Sequence, residues 1–316
     1  MKTAWIFPGQ GSQALGMIGD LAESALGQER LEIAAKILGW SVLEKCQGDE
    51  ETLSRTLYTQ PCLFVVESIL ADLLQEKGHF PDLVAGHSLG EYSALYAARV
   101  FNFETGLNLV QNRSRLMDAA EGGKMAALMK FDRTSLETVV NQTENVVIAN
   151  DNSAEQVVIS GTPEAVDLVL GQVKVKRVMQ LKVSGAFHSP LMENAAIQFR
   201  QILELVNFQK AKVPVISNVD PSNPTQDGEQ LKKYLIQQMT SSVRWREIML
   251  KLPDVGVEKA IEVGPGKVLT GLIKRTTPAI ELENISQLAN ISKNSDDVIF
   301  QGSLIGVGFI IWQYFR

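Results

Sequence analysis

Histidine and cysteine are scarce in this sequence. Of 316 residues, three are histidines and two are cysteines. Cys46 and Cys62 lack the Cys and His spacing of zinc sites, so we expect no metal site. Isolated cysteines of this kind are typical of small buried side chains in a reducing compartment.

The sequence also lacks an excess of basic residues. Lys and Arg number 30 against 36 Asp and Glu, a net charge of −6, and no basic cluster indicates a nucleic-acid partner. An acidic partner would need a local basic patch. The N-terminal segment MKTAWIFPGQGSQ is too short in apolar residues for a signal peptide. We interpret it as a first strand and expect a cytoplasmic protein.

A long apolar run occurs only at 298–315, VIFQGSLIGVGFIIWQYF. Its eighteen residues are at the lower limit for a membrane span. Its glycines, its β-branched residues and the lack of a flanking basic cluster favour a strand or helix docked on the core, or a contact with a partner. Membrane attachment is not expected, although this tail leaves it open.

Strands and helices alternate along most of the chain, which predicts an α/β fold with a parallel sheet. The length fits two domains or one α/β unit with an insertion. After Gly122 the pattern changes to six short elements in the order βαββαβ, typical of a ferredoxin-like domain. We place this small domain at 124–185, between core segments 1–123 and 186–288. The apolar tail, 289–316, has no assigned role.

Two further expectations concern individual helices. Apolar spacing predicts a long helix over 59–77, with Pro61 near its first turn. The segment 267–275 is predicted as the last helix.

The pentapeptide Gly86-His87-Ser88-Leu89-Gly90 matches the pattern G-x-S-x-G. A nucleophilic serine needs a tight turn between a strand and a helix, which glycines permit. The apolar run before Ser88 and the helical pattern after it supply that context. The backbone amide of Leu89 would then face an oxyanion.

A serine hydroxyl needs a base, and three histidines are available. His79 precedes the strand, at the end opposite the turn. His87 adjoins the serine, and neighbouring side chains at such a turn point in different directions. His188 in VSGAFHSPLM is therefore the candidate base. There is no HGGG motif and no obvious acid between Ser88 and His188, so a dyad oriented by backbone carbonyls is a plausible arrangement.

At this point the sequence resembles the malonyl-CoA:acyl carrier protein transacylases, the acyltransferases of bacterial fatty acid synthesis, which are related to polyketide synthase acyltransferase domains. The resemblance covers about 1–285 and ends near Leu288. It rests on seven segments in the family's order: IFPGQGSQ, GHSLGEYSAL, QNRSRLM, IANDNSAEQVVISG, GAFHSPLM, QMTSSVRW and EVGPGKVLTGLIKR. It implies a hydrolase-like core with a ferredoxin-like insertion.

The resemblance also implies roles for individual residues. Ser88 would carry the malonyl group, and His188 would act as base and then as acid. The backbone amide of Gln10 would join that of Leu89 in the oxyanion hole. The remaining implied roles are the malonyl carboxylate ligand, a bulky selectivity residue and a backbone carbonyl that orients the histidine: Arg113, Phe187 and Gln238.

The arginine assignment has a physical reason, because a guanidinium holds a carboxylate through two parallel hydrogen bonds. Arg115 is the alternative, and the family spacing favours Arg113. The implied mechanism is ping-pong between malonyl-CoA and a phosphopantetheinylated acyl carrier protein, without a metal or bound cofactor. The simplest expectation for the oligomeric state is a monomer.

Two other functions stay open from the sequence. A serine hydrolase or thioesterase would use the same Ser88 and His188, but it has no need of a carboxylate ligand such as Arg113. A non-catalytic scaffold that binds through the apolar tail would not require either catalytic residue. The sequence does not distinguish a fatty acid carrier from a polyketide carrier.

Overall fold

The computed structural model describes residues 1–183 and 185–291. The strands in this part of the chain are β1 (Thr3–Phe7), β2 (Leu83–Gly86), β3 (Lys124–Phe131), β4 (Val146–Ser153), β5 (Gln156–Gly161), β6 (Val175–Gln180), β7 (Val215–Ile216), β8 (Lys259–Val263) and β9 (Glu281–Ile285).

The α-helices of the described residues are α1 (Ala25–Leu38), α2 (Val42–Gln47), α3 (Glu50–Ser54), α4 (Thr56–Glu76), α5 (Gly90–Ala97), α6 (Phe103–Asp118), α7 (Arg133–Gln142), α8 (Pro163–Gln172), α9 (Glu193–Glu204), α10 (Gly228–Gln238), α11 (Trp245–Asp254) and α12 (Val268–Thr276). Two short 3₁₀ helices cover Gly19–Glu23 and Pro190–Met192.

Five strands form a parallel sheet in the order β7-β2-β1-β8-β9. The central strand β1 is buried on both faces, as expected for parallel sheets covered by helices. Trp5 and Phe7 point to the face covered by α4, α5 and α6, whereas Ala4 and Ile6 point to the face covered by α11 and α12. This alternation places apolar cores on both sides of the sheet.

The other four strands form an antiparallel sheet in the order β4-β5-β3-β6, with α7 and α8 packed on it. The strand order and the βαββαβ sequence are those of a ferredoxin-like unit. The predicted fold class, a parallel-sheet core with a ferredoxin-like insertion, is therefore confirmed. The domain bounds 1–123, 124–185 and 186–288 stay a prediction.

The two sheets are joined where the chain leaves and re-enters the parallel-sheet unit. A Cβ on Gly123 would lie 2.0 Å from the backbone nitrogen of Ala186, so the outgoing and returning chains pack backbone to backbone. Further along, Asn150 forms a bridge with Val243, and Asp151 pairs with Arg246 at 2.9 Å. These contacts hold β4 against the start of α11.

One local prediction was wrong, and one strand was not predicted. Helix α4 begins at Thr56, three residues before the predicted start, so Pro61 lies inside the helix rather than in its first turn. Strand β9 follows the helix predicted to be the last. Its sequence, ELENI, is partly charged and has no apolar run that would predict a strand. As an edge strand, β9 keeps Glu281 and Glu283 near Lys259, at 3.2 and 2.8 Å.

Of the predicted tail 289–316, the structure describes 289–291. There Ile291 is buried in the core, and the backbone amide of Ala289 donates to Asp20 at 3.1 Å. The apolar run 298–315 lies outside the described residues. Among those residues, α4 alone is long and apolar enough to span a membrane, but 83% of its apolar stretch is buried inside the fold.

A buried carboxyl group in α4 makes stability depend on pH. Glu67 is fully buried, and neither of its carboxyl oxygens has a hydrogen-bond partner in the part of the chain that the structure describes. Burial, together with the nearby Glu262, raises its pKa well above the ordinary value. Above the unfolded pKa of about 4.3, the unfolded chain releases this proton while the native protein keeps it. Stability therefore falls as pH rises from there toward the native pKa.

We predict that Glu67→Gln, which cannot ionise, removes this loss. Its advantage over wild type should grow by about 1.4 kcal/mol for each pH unit in which native Glu67 stays protonated above its unfolded pKa. Urea unfolding of both proteins at pH 5 and pH 8 measures this difference in the free energy of unfolding. Glu121→Gln, at an exposed loop position, is the control and should show no such growth. An equal effect of both substitutions at both pH values would contradict the prediction.

Candidate active site

Ser88 lies at the carboxyl end of β2, in the turn that leads into α5. The turn requires glycine on both sides. A Cβ on Gly86 would lie 2.0 Å from the carbonyl carbon of Gly90, and one on Gly90 would lie 2.0 Å from the backbone oxygen of Phe7. The predicted strand, turn and helix are therefore present, and the glycines allow the helix to start directly against the sheet.

Side chains from distant segments hold the backbone of Ser88. Its φ is 53°, in the left-handed region that non-glycine residues rarely adopt. Its amide donates to Asn218 Oδ1 at 2.7 Å, and its carbonyl accepts from Gln238 Nε2 at 3.0 Å. Asn218 Nδ2 also donates to the carbonyl of Gly86 at 2.6 Å. A left-handed backbone at a non-glycine residue costs about 1–3 kcal/mol, and here the surrounding hydrogen bonds stabilise it.

His188 faces the serine from the loop that follows the small sheet. Its Nε2 lies 2.7 Å from Ser88 Oγ, and its Nδ1 lies 2.9 Å from the backbone oxygen of Gln238. A carbonyl oxygen only accepts, so Nδ1 carries the proton and Nε2 presents its lone pair to the hydroxyl. The structure thus brings together Ser88, His188 and the Gln238 carbonyl named from the sequence.

The imidazole of His188 is electrostatically biased to the neutral form. Burial, and then the nearby cation of Arg113, lower its pKa to about 3. At neutral pH the ring is therefore unprotonated and able to accept the hydroxyl proton. No carboxylate touches it among the described residues; the group behind it is a neutral carbonyl.

Two backbone amides beside Ser88 are unengaged. In the described part of the chain, neither the Gln10 amide nor the Leu89 amide donates to a protein acceptor, and both residues line the cavity at Ser88. The loop carrying Gln10 is fixed, because its side-chain oxygen accepts from Thr56 Oγ1 at 2.8 Å. Gly9 packs under the turn, where a Cβ would lie 2.4 Å from the oxygen of His87.

Arg113 is the buried cation of the site. Its side chain is 1% exposed, and one terminal nitrogen lies 3.0 Å from Ser88 Oγ and 3.1 Å from Gln238 Oε1. The other terminal nitrogen donates to Gln60 Oε1 at 2.5 Å, and the guanidinium lies over the ring of Tyr92. The alternative named from the sequence, Arg115, is exposed on the other side of α6.

The cavity above Ser88 has a volume of about 260 Å³. Phe187 is buried in its wall, and Met117 and Met125 add apolar surface. The seven predicted site residues all line this cavity or bond to residues that do: Gln10, Ser88, Leu89, Arg113, Phe187, His188 and Gln238. A second cleft of about 730 Å³ shares Phe187 and the 181–183 segment with it.

His87 lines the cavity, but its ring is hydrogen-bonded away from Ser88. His87 Nε2 lies 2.8 Å from Asn152 Oδ1, and its ring packs against Trp245. This agrees with its interpretation as a hydrogen-bonded neighbour. Burial lowers its pKa.

Three polar residues of the site were not predicted from the sequence: Gln60, Glu91 and Asn218. Asn218 follows β7, at the same edge of the sheet as Ser88, and this placement was the available signal. Glu91 lies inside the GHSLGE segment but carried no independent pattern. Gln60 had no signal, since it lies in the second turn of an apolar helix.

Comparisons with known proteins identify the relatives of this chain. The family model described as an acyl transferase domain matches residues 4–306, beyond the Leu288 limit of the motif resemblance. The malonyl CoA-acyl carrier protein transacylase of Synechocystis sp. is 60% identical over 292 residues, or 92% of this chain and 99% of that protein.

Solved structures agree in fold. A crystal structure of the Synechocystis malonyl-CoA:ACP transacylase, 60% identical, has a TM-score of 0.91 and covers 93% of this chain and 100% of its own. A malonyl-transacylase solved with a type II PKS acyl-carrier protein is 36% identical, with a TM-score of 0.87 over 94% of this chain and all of its own. The predicted resemblance is confirmed: the chain belongs to the acyl transferase domain family.

Proposed function

We propose that the protein transfers the malonyl group from malonyl-CoA to the phosphopantetheine thiol of an acyl carrier protein, through an ester on Ser88. One observation carries the proposal. Ser88 Oγ lies 2.7 Å from His188 Nε2 and 3.0 Å from a nitrogen of Arg113, so a nucleophile, a base and a buried cation meet in one cavity. The 60% identity to a malonyl transacylase supports the same reaction.

In the first half-reaction, His188 Nε2 takes the proton of Ser88 as Oγ attacks the thioester carbonyl. The imidazolium is stabilised by the Gln238 carbonyl at Nδ1. The amides of Gln10 and Leu89 donate to the oxyanion of the tetrahedral intermediate. His188 then protonates the sulfur of coenzyme A, which leaves. This leaves a malonyl ester on Ser88 and a neutral histidine.

The second half-reaction uses the same groups in the reverse order. His188 takes the proton of the carrier's thiol, the thiolate attacks the ester, and the proton returns to Ser88 Oγ. No metal or bound cofactor enters these steps. The two clefts that meet at Phe187 supply a route for the phosphopantetheine arm.

Selection for malonyl rests on Arg113. Its guanidinium is buried and adjoins the nucleophile, where a carboxylate of the acyl group would pair with it. Burial lowers its pKa, so the free cation is incompletely compensated until an anion arrives. Phe187 in the cavity wall would limit branched acyl groups.

The location, the domain bounds and the oligomeric state are proposed from the sequence. We place the reaction in the cytoplasm, with 124–185 as a small domain inserted between 1–123 and 186–288, and with a monomer as the working unit. Relatives include a Bacillus subtilis malonyl CoA-acyl carrier protein transacylase and a polyketide biosynthesis transacylase, PksC, from the same species. The carrier is accordingly one of fatty acid or polyketide synthesis.

The intact mass of the protein after brief mixing with malonyl-CoA tests the proposed function. We expect a malonyl adduct on wild type, none on Ser88→Ala, and transfer of the adduct to a phosphopantetheinylated carrier in a chase. Loss of the adduct to water, with the carrier unmodified, would instead indicate the serine hydrolase. Absence of any adduct on folded wild type would contradict both.

Arg113→Ala should change acyl selectivity. Removing one partner of a buried charge pair costs about 2–5 kcal/mol, so kcat/KM for malonyl-CoA should fall roughly 30- to 5,000-fold. The preference for malonyl-CoA over acetyl-CoA should shrink, because an acetyl group no longer leaves a buried cation unpaired. Arg115→Ala, the exposed control, should keep both values. Equal losses for the two substrates would contradict a carboxylate-binding role.

Asn218→Ala should lower kcat without removing any group that touches substrate. It deletes both side-chain hydrogen bonds to the turn, and a misplaced nucleophile costs about 10²-fold in rate. Stopped-flow acylation measures the loss. Asn223→Ala, at an exposed position five residues on, should leave the acylation rate within about twofold of wild type. A wild-type rate in Asn218→Ala would contradict the role given to this contact.

A further inference from the structure

A carboxyl group that touches no reacting atom lies beneath the active-site turn. Glu91, the second residue of α5, is 1% exposed. Its Oε2 accepts from Gln238 Nε2 at 2.6 Å and from the backbone amide of Asn218 at 3.3 Å. Every one of these contacts comes from a donor.

Two of these donors belong to the residues that hold the active site. Gln238 supplies the carbonyl that orients His188, and its side chain binds the carbonyl of Ser88. Asn218 binds the amide of Ser88. Glu91 is therefore one step removed from both members of the Ser–His pair, through a single intermediate residue in each case.

The carboxylate also determines which way the Gln238 amide faces. A carboxylate only accepts, so it attracts the Nε2 end of the amide. The Oε1 end then faces Arg113 and accepts from it at 3.1 Å. With the amide reversed, oxygen would face both Glu91 and the Ser88 carbonyl, and the NH₂ group would face the guanidinium. Each of these contacts would be repulsive.

We propose that Glu91, as a carboxylate, is a positioning residue for acyl transfer: it fixes Gln238 and Asn218, and through them the Ser88 backbone and the His188 ring. The inference rests on the proposed function and deepens it. A protonated Glu91 would be a weaker acceptor for the two N–H groups on its Oε2 than the carboxylate is, and would weaken the anchor. Catalysis by the Ser–His pair therefore requires the ionised form.

The surroundings of Glu91 set its titration near neutral pH. Burial raises the pKa of Glu91 to about 7, opposed by the hydrogen bonds from Gln238, Ser217 and Asn218 and by the cation of Arg113 on α6. The residues that meet its carboxyl group from the segments around 217–218 and 238 are neutral, and its neighbour Tyr92 stays protonated because its pKa is raised. The His188 pKa of about 3 lies far below this range.

We therefore expect the pH profile of kcat/KM to fall on its acid side, and this acid limb is caused by the titration of Glu91 rather than that of His188. As pH falls below about 7, Glu91 gains a proton and kcat/KM of wild type should drop, by up to tenfold per pH unit. His188 is already neutral throughout this range, so its titration would place the limb several pH units lower.

The experiment measures malonyl transfer from malonyl-CoA to a phosphopantetheinylated carrier between pH 5.5 and 8.5. In Glu91→Gln a neutral amide oxygen replaces the charged acceptor, so we expect kcat at pH 8 to fall ten- to a hundredfold while KM changes less than threefold. The acid limb near pH 7 should disappear. Glu91→Asp keeps the charge and should keep the limb, with a smaller loss of kcat. Glu121→Gln, an exposed control, should match wild type.

A Glu91→Gln profile with the wild-type rate and the wild-type limb would overturn the proposal, and so would a wild-type profile that is flat between pH 5.5 and 8.5. The second outcome needs no variant, so the test survives if Glu91→Gln fails to fold. Thermal unfolding of each variant identifies such a failure. The proposed function is judged separately, by the malonyl adduct on wild-type Ser88.

Discussion

The left-handed backbone at Ser88 is the constraint on which the rest of the site depends. A serine can stay in this conformation only where its amide and carbonyl are both held, here by Asn218 and Gln238. The turn can close only because Gly86 and Gly90 allow backbones to meet without side chains. His188 has a left-handed backbone too, with φ of 57°. Both members of the pair are thus positioned by tertiary contacts rather than by local preference.

Two buried charged groups flank the turn at Ser88 without touching each other. One buried cation, Arg113, and one buried carboxyl group, Glu91, lie on opposite sides of a single amide, Gln238, which donates to one and accepts from the other. The two charged groups influence each other without contact, so the cation's outer face stays available to the cavity. A direct ion pair between them would instead have neutralised the group offered to an acyl carboxylate.

Much of the fold was predictable from sequence because its signals are local. The βαββαβ order, the strand before Ser88 and the helix after it each follow from apolar spacing and glycine positions. Strand β9 was missed because an edge strand with alternating acidic residues lacks an apolar run. Helix α4 starts three residues earlier than predicted because the apolar spacing that predicts it begins only at Leu63, and the helix accommodates Pro61 in its second turn.

The residues of the site likewise fall into those with a sequence signal and those without one. Ser88 was predicted from its glycine-bounded turn and His188 by elimination among three histidines, while Asn218 and Glu91 were not predicted. Asn218 acts across 130 residues, and Glu91 reaches its partners across 127 and 147. Such contacts exist only once the sheet has aligned the carboxyl ends of β2 and β7, and no pattern in the unfolded sequence marks them.

The neutral carbonyl behind His188 has a consequence for which acceptor the ester can react with. With a carbonyl rather than a carboxylate at Nδ1, and a cation nearby, the imidazole is a weak base. A thiol ionises with a pKa of about 8.5, whereas water does so at 15.7. The same base therefore removes the proton of a thiol more readily than that of water. Proton removal alone thus favours a sulfur nucleophile over water as the acceptor of the ester.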